Sequence, residues 1–258
     1  MRTVLITGAS SGIGYEFAKI FAKNGDNIVI TARRKENLDK IKEELSQFNV
    51  KIDTVVLDLS QKDGAKNLYN EIKSRGIVVD TLINNAGIGV YGKYIDTDMD
   101  KEIQLVDLNV NSLLILTKLF LKDMVANNKG DILNVASIAS FLPGPLMSVY
   151  YASKAFVLSF SESIRNEVSD TNVNISVLCP GPTSSEFEKS ANSEDSALFS
   201  KSKVMTPLQV AEIGYKGLQK KKAIIITGGT NRLIVFLNKL TPRSIMAKIV
   251  RKLQEAKN

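Results

Sequence analysis

Short β-branched runs alternate with amphipathic helical patterns along most of the chain, and that alternation leaves few folds open. The runs TVLIT, NIVIT, KIDTVVL, DTLIN, GDILNVA, NVNISVL and KAIIIT read as strands. Between most of them lie longer helical patterns, among them GYEFAKIFAKNG, KENLDKIKEELSQF, DGAKNLYNEIKSRG and TPLQVAEIGYKGLQK. Strands joined through helices imply right-handed crossovers and a mainly parallel sheet. Several runs are apolar throughout, as expected of strands covered by helices on both faces. The expected class is therefore α/β, with a mainly seven-stranded parallel sheet. No linker or repeat interrupts the pattern, so residues 1–258 read as a single domain.

Two regions depart from the alternation. Residues 184–206 are polar and weakly patterned, and a long loop in a compact domain is often a lid. The tail at about 242–256 reads as a basic amphipathic helix. Packing on the core is its default role; joining subunits or touching a membrane surface are the others.

Composition narrows the chemistry. The chain has 258 residues, 44% of them hydrophobic, enough for one sizeable core. Histidine is absent, which removes histidine-based triads and most zinc sites, and no metal is expected. Cys179 is the single cysteine, so no internal disulfide forms; this fits a reducing, cytoplasmic setting. No signal peptide is apparent, and no apolar run approaches the roughly 20 residues of a membrane span. The net charge of +7 attracts nucleic acid, anionic membranes and phosphorylated small molecules. Many lysines are scattered among acidic residues on helices, which argues against a nucleic-acid face.

The segment VLITGASSGIGYEFAKIF reads as strand, turn and helix. Gly8, Gly12 and Gly14 let the backbone turn tightly and approach a ligand. Ser10, Ser11 and Ile13 lie in the same turn, at a helix N-terminus suited to a pyrophosphate. The spacing is G-x-x-x-G-x-G and meets the common dinucleotide fingerprint only loosely. The same residues match the G-x-S-x-G nucleophile elbow, but that chemistry needs a histidine base. In NAD binders an acidic residue about twenty positions past the glycines accepts from the adenosine ribose. Here NIVITA ends at Ala32 and is followed by Arg33, Arg34 and Lys35. Cations at a helix start are placed against its dipole, and a bound 2′-phosphate would offset that. NADP(H) is therefore expected over NAD(H).

In SVYYASKAF, Tyr150 and Tyr151 stand four and three residues before Lys154. Both spacings meet on a helix, and an ammonium beside a phenol lowers its pKa from about 10. Spacing does not choose between the tyrosines. Read alone, the triplet is equally a solvated lysine beside two half-buried rings.

The motifs TGASSGIG (7–14), LDLS (57–60), NNAG (84–87), LNVN (108–111), NVASIAS (134–140), YYASK (150–154) and PGPTSSEF (180–187) occur in one order. With them the chain, from Thr3 to about Gly228, resembles the classical short-chain dehydrogenase/reductase family. The resemblance implies a Rossmann-like doubly wound fold and a nicotinamide-dependent carbonyl–alcohol oxidoreductase. It selects Tyr150 as acid/base, with Lys154, Ser137 and Asn109 completing the catalytic set; Asn111 is a near alternative to Asn109. It places Asp58 and Leu59 near adenine, and Asn85, Ala86 and Gly87 where the sheet end meets the cofactor. Pro180 and Gly181 precede the segment facing the nicotinamide amide. Thr183 there is two residues earlier than the commonest position, which Ser185 occupies.

The segments SFLPGPLMS and GIGVYGKY, with Phe187 and Phe199, suggest an apolar pocket for a bulky or acyl carbonyl. Lys189, Lys201 and Lys203 would attract an acidic carrier. The helix NSLLILTKLFLKDMV is apolar over most of its circumference, so a homodimer or homotetramer is expected. Two other functional classes are a non-catalytic dinucleotide-binding regulator and a basic membrane-surface binder.

Overall fold

The computed structural model describes residues 1–184, 187 and 204–255. Seven strands form one sheet: β1 (Thr3–Thr7), β2 (Asn27–Ala32), β3 (Ile52–Val56), β4 (Thr81–Asn84), β5 (Gly130–Val135), β6 (Val173–Cys179) and β7 (Ile224–Ile226). The spatial order is β3-β2-β1-β4-β5-β6-β7, and every pairing is parallel. The chain winds outward from β1 to β3, then restarts beside β1 with β4 and winds the other way. That reversal opens a crevice at the C-terminal ends of β1 and β4, the place where doubly wound sheets take ligands.

Helices α1 (Gly12–Lys23), α2 (Lys35–Leu45), α3 (Gly64–Ser74), α4 (Met99–Val106), α5 (Leu113–Ala126), α6 (Ser148–Glu167) and α7 (Pro207–Gln219) flank the sheet. Strand alternation assigns the two faces. Val4 and Ile6 of β1 join Phe17, Phe21, Leu38 and Val210 on the α1–α2–α7 side. Leu5 between them joins Leu68, Phe120, Met124 and Ile164 on the α3–α5–α6 side. Apolar strands between two helical layers follow directly.

Helices α4 and α5 are continuous through a π-helical turn, Asp107–Ser112. Among the described residues this one helix, Met99–Ala126, is long and apolar enough by length and composition to cross a membrane. The run expected to be absent therefore exists. It arises because α5 buries Leu113, Leu116, Phe120 and Met124 while Leu114 and Val125 remain exposed.

After β7 come α8 (Gly229–Asn238) and α9 (Arg243–Gln254). The second lies within the expected tail helix. The first is unexpected from the sequence, where Gly228, Gly229, Asn231 and Arg232 read as breaks. Most of the proposed lid at 184–206, with Ser185, Lys189, Phe199, Lys201 and Lys203, lies outside the described residues.

Candidate active site

The loops at the C-terminal ends of the strands enclose a cleft of about 460 Å³. Its floor is the turn after β1. Gly8 has φ of +64°, and a Cβ there would lie 2.8 Å from Ala86 Cα; at Gly14 a Cβ would lie 2.5 Å from both Asn85 Nδ2 and Gly8 O. The Asn85 amide instead donates to Thr7 O (3.0 Å) and Gly8 O (3.1 Å). The backbone N–H groups of Asn85 and Ala86 donate to Thr7 Oγ1 at 2.9 and 3.0 Å. Asn85 thus ties β4 to the glycine turn.

Ser11 is the N-cap of α1 in extended conformation, without a side-chain capping bond, and the first turn holds no acid. The helix N-terminus therefore presents backbone N–H groups and the positive dipole end. Gly8, Ser10, Ser11, Gly12 and Ile13 line the cleft, with Arg33 and Arg34 at its rim. Arg34 donates to Ser10 Oγ at 3.3 Å. Both arginines are exposed, and no carboxylate stands at the end of β2. Asp58 and Leu59 line the same end, where Asp58 Oδ1 accepts from Ser60 N (2.9 Å) and Ser60 Oγ (2.7 Å). A turn built on Gly8, Gly12 and Gly14, an uncapped helix N-terminus and two rim cations fit the phosphates of a dinucleotide.

Farther along, Ser137, Tyr150 and Lys154 line the cleft together. Ser137 follows β5 and caps a short 3-10 turn, accepting from Ala139 N at 3.1 Å. Its hydroxyl also donates to Pro180 O at 3.4 Å. Lys154 is 5% exposed and its Nζ donates to Val135 O at 3.0 Å. Burial pushes the lysine pKa down to about 8. Burial pushes the Tyr150 phenol up to about 12, opposed by a hydrogen bond with Ser137. The expected depression of Tyr150 by Lys154 is not realised. Lys154 Nζ lies over the ring face, 5.8 Å from the centroid, and is bonded to a strand carbonyl.

Asn109 sits in the π-helical turn and is 1% exposed. Its Oδ1 accepts from Ile88 N and its Nδ2 donates to Ile88 O, both at 2.9 Å, and to Ser153 Oγ at 3.1 Å. Asn111 is exposed and bonds Asp107 of its own helix. Of the two, Asn109 faces the cleft side and Asn111 faces solvent. A Cβ at Gly87 would meet Asn109 Oδ1 at 3.1 Å and Lys154 Nζ at 3.3 Å, so this glycine lets the three approach. Pro180, Gly181 and Thr183 line the opposite wall, and Thr183 Oγ1 donates to Gly181 O at 2.9 Å.

Tyr151 packs against α9. It is 9% exposed, clustered with Met147, Met246 and Val250, and it accepts from Gln254 Nε2 at 2.9 Å. Tyr91 OH donates to Gln254 O at 2.6 Å. Helix α9 therefore walls the cleft, with Phe187 and Met147 completing an apolar end. Gln254 escapes sequence reasoning, since no local pattern links it to a tyrosine 103 residues away.

The family model for short chain dehydrogenases matches residues 2–196. Dehydrogenase/reductase SDR family member 7B of Xenopus tropicalis is 30% identical, over 99% of this chain and 87% of its own length. The NADP-dependent 3-hydroxy acid dehydrogenase of Schizosaccharomyces pombe is 32% identical, over 87% of this chain and 90% of its own. A solved short-chain dehydrogenase from Sphingobium yanoikuyae in complex with NADPH superposes with a TM-score of 0.84 at 27% identity, covering 100% of this chain and 99% of that one. The chain belongs to the short-chain dehydrogenase/reductase family.

Proposed function

From this family membership, we propose that the chain is an NADP(H)-dependent oxidoreductase interconverting an apolar or acyl-type ketone and its alcohol. The observation that carries the reading is the convergence of Ser137, Tyr150 and Lys154 on one cleft with the glycine turn. Arg33 and Arg34 support the phosphorylated cofactor, as do the NADP dependence of the fission-yeast relative and the NADPH bound in the Sphingobium structure.

When bound, the nicotinamide supplies the hydride in reduction and accepts it in oxidation. The chain's residues manage the charge that develops on the substrate oxygen. Ser137 and Tyr150 hydrogen-bond that oxygen, and Tyr150 gives it the proton. A phenol near 12 is fully protonated at neutral pH, so the acid is ready for reduction. Lys154, charged below about pH 8, would hold the cofactor's ribose hydroxyls. Asn109 locks the Gly87–Ile88 loop against α6 through Ser153. Thr183 or Ser185 would meet the nicotinamide amide.

A homodimer or homotetramer, built through α5 and α6, is part of the same proposal. The two helices present a groove lined by Leu121, Phe156 and Phe160, the two phenylalanines stacked at 5.5 Å. A monomer at micromolar concentration by sedimentation equilibrium would contradict this assembly.

The direct test is NADPH oxidation against a panel of apolar ketones and 3-oxoacyl esters, with NADH in parallel. Turnover with NADPH supports the reading. Tight NADPH binding without turnover on any ketone would favour a regulatory dinucleotide binder.

A further inference from the structure

Helices α8 and α9 carry an apolar surface that the described chain leaves uncovered. On α8 and the turn just after it, Leu233, Phe236, Leu237 and Leu240 are 48–72% exposed and spaced i, i+3, i+4, i+7. They form one face of the helix, opposite the buried Val235. On α9, Met246, Val250 and Gln254 are buried, whereas Ile245, Ile249 and Leu253, each one position earlier, are 45–50% exposed. One residue is about 100° of helix, so the apolar arc of α9 runs from the cleft wall out into solvent. Scattered exposed leucines are ordinary; an apolar stripe repeated at helical spacing on two successive helices is a contact surface.

The charge around this face selects its partner. Arg232, Lys239, Arg243, Lys248, Arg251 and Lys252 are all exposed on the two helices. Among the described residues of this segment only Glu255 opposes them, paired with Arg251 at 2.9 Å. A second copy meeting this face across a two-fold axis would oppose cation to cation. An anionic bilayer offers apolar chains beneath negative headgroups and complements both features.

We propose that α8 and α9 form a peripheral membrane-binding surface for anionic phospholipid bilayers, with Leu233, Phe236, Leu237, Leu240, Ile245, Ile249 and Leu253 entering the acyl boundary. The cations lie at headgroup level around them. About 100° round α9 from its inserted residues is the wall that carries Gln254 against Tyr151. The inference stands on the surface and not on the oxidoreductase reading, because lipid binding is measured without turnover.

The test is cosedimentation of the full chain with vesicles of equal parts phosphatidylcholine and phosphatidylserine, against vesicles of phosphatidylcholine alone. Binding is expected to the mixed vesicles and to weaken with added salt. Lys239→Gln and Lys248→Gln should each weaken it about fivefold, the contribution expected of one cation near an anionic surface. Phe236→Glu with Leu240→Glu should abolish it while the thermal unfolding curve and NADPH binding stay as in the parent. The proposal is overturned by absence of binding to the mixed vesicles or by undiminished binding of the Phe236→Glu, Leu240→Glu variant. A lipid-free dimer that this double variant dissolves would assign the face to a second copy and overturn it equally.

Discussion

The Asn85 carboxamide occupies the space that a side chain at residue 14 would need. A Cβ on Gly14 would lie 2.5 Å from Asn85 Nδ2, and Asn85 uses that nitrogen to hold Thr7 O and Gly8 O. The glycine of helix α1 and the asparagine after β4 are thus one device, fixing the floor of the cleft.

Gly14→Ala tests that device. The added methyl would also lie 2.5 Å from Gly8 O, a backbone atom that cannot swing aside. Overpacking of this kind costs about 1–3 kcal/mol. The melting temperature should fall, and NADPH affinity measured by fluorescence titration should fall with it. A variant with parental values for both would mean that the turn relaxes freely.

The two adjacent tyrosines should separate cleanly. Tyr150→Phe removes the acid beside Ser137, so kcat should drop by roughly two or more orders of magnitude while NADPH binding persists. Tyr151→Phe removes the acceptor for the buried Gln254 amide, which costs about 1–3 kcal/mol of stability with most activity retained. An inactive Tyr151→Phe beside an active Tyr150→Phe would reverse the assignment.

Cofactor preference should follow the rim of the cleft. Arg34→Ala removes a cation held by Ser10 and should weaken NADPH by roughly tenfold or more, with little change for NADH. Ala32→Asp with Arg33→Ala should move the preference toward NADH. Tighter parental binding of NADH than NADPH, by isothermal titration, would remove the basis for the choice.

Activity and stability should respond oppositely to alkali. Lys154 is lowered from 10.5 to about 8, so its charge disappears as pH rises through about 8, while Tyr150 stays protonated to about 12. The rate of ketone reduction should therefore fall above about pH 8. The stability sign is the reverse. Between about 8 and 10.5 the unfolded lysine binds more protons than the folded one, so this residue's contribution to unfolding free energy rises with pH. Denaturant titrations of parent and Lys154→Met should show the parent gaining stability relative to the variant across that window, since the raised Cys179 thiol lowers stability above about pH 9 in both.

The sheet was legible because its strands are apolar on both faces and its helices repeat at 3.6 residues, so local pattern and packing agree. Ser137, Tyr150 and Lys154 were legible as motif positions, and the structure brings them to one cleft. Other choices depend on which way a helix face turns. Spacing allowed Asn109 or Asn111, and only the inward side of the π-helical turn separates them. Tyr150 and Tyr151 are equivalent in sequence distance from Lys154 but differ in what they touch. Helix α8 was missed because its apolar stripe faces outward and its first turn holds residues that read as breaks. Gln254 was missed because the contact that defines it is wholly long-range.

The wide turn at Asp107–Ser112 makes the helix Met99–Ala126 a splice of two frames rather than a single rod. An i-to-i+5 bond holds one residue more per turn than its α neighbours, and one residue is worth about 100° of rotation. The wide turn fits that extra residue into one revolution, so a one-residue deletion that restored α geometry would keep the faces of α4 and α5 as they are and re-aim only the side chains within the turn. Asn109 would swing off Ile88, and the loop beside Lys154 would lose its anchor. In this stretch chain length is itself a functional variable: a one-residue deletion would leave every other side chain chemically unchanged and still unfasten the Gly87–Ile88 loop from α6.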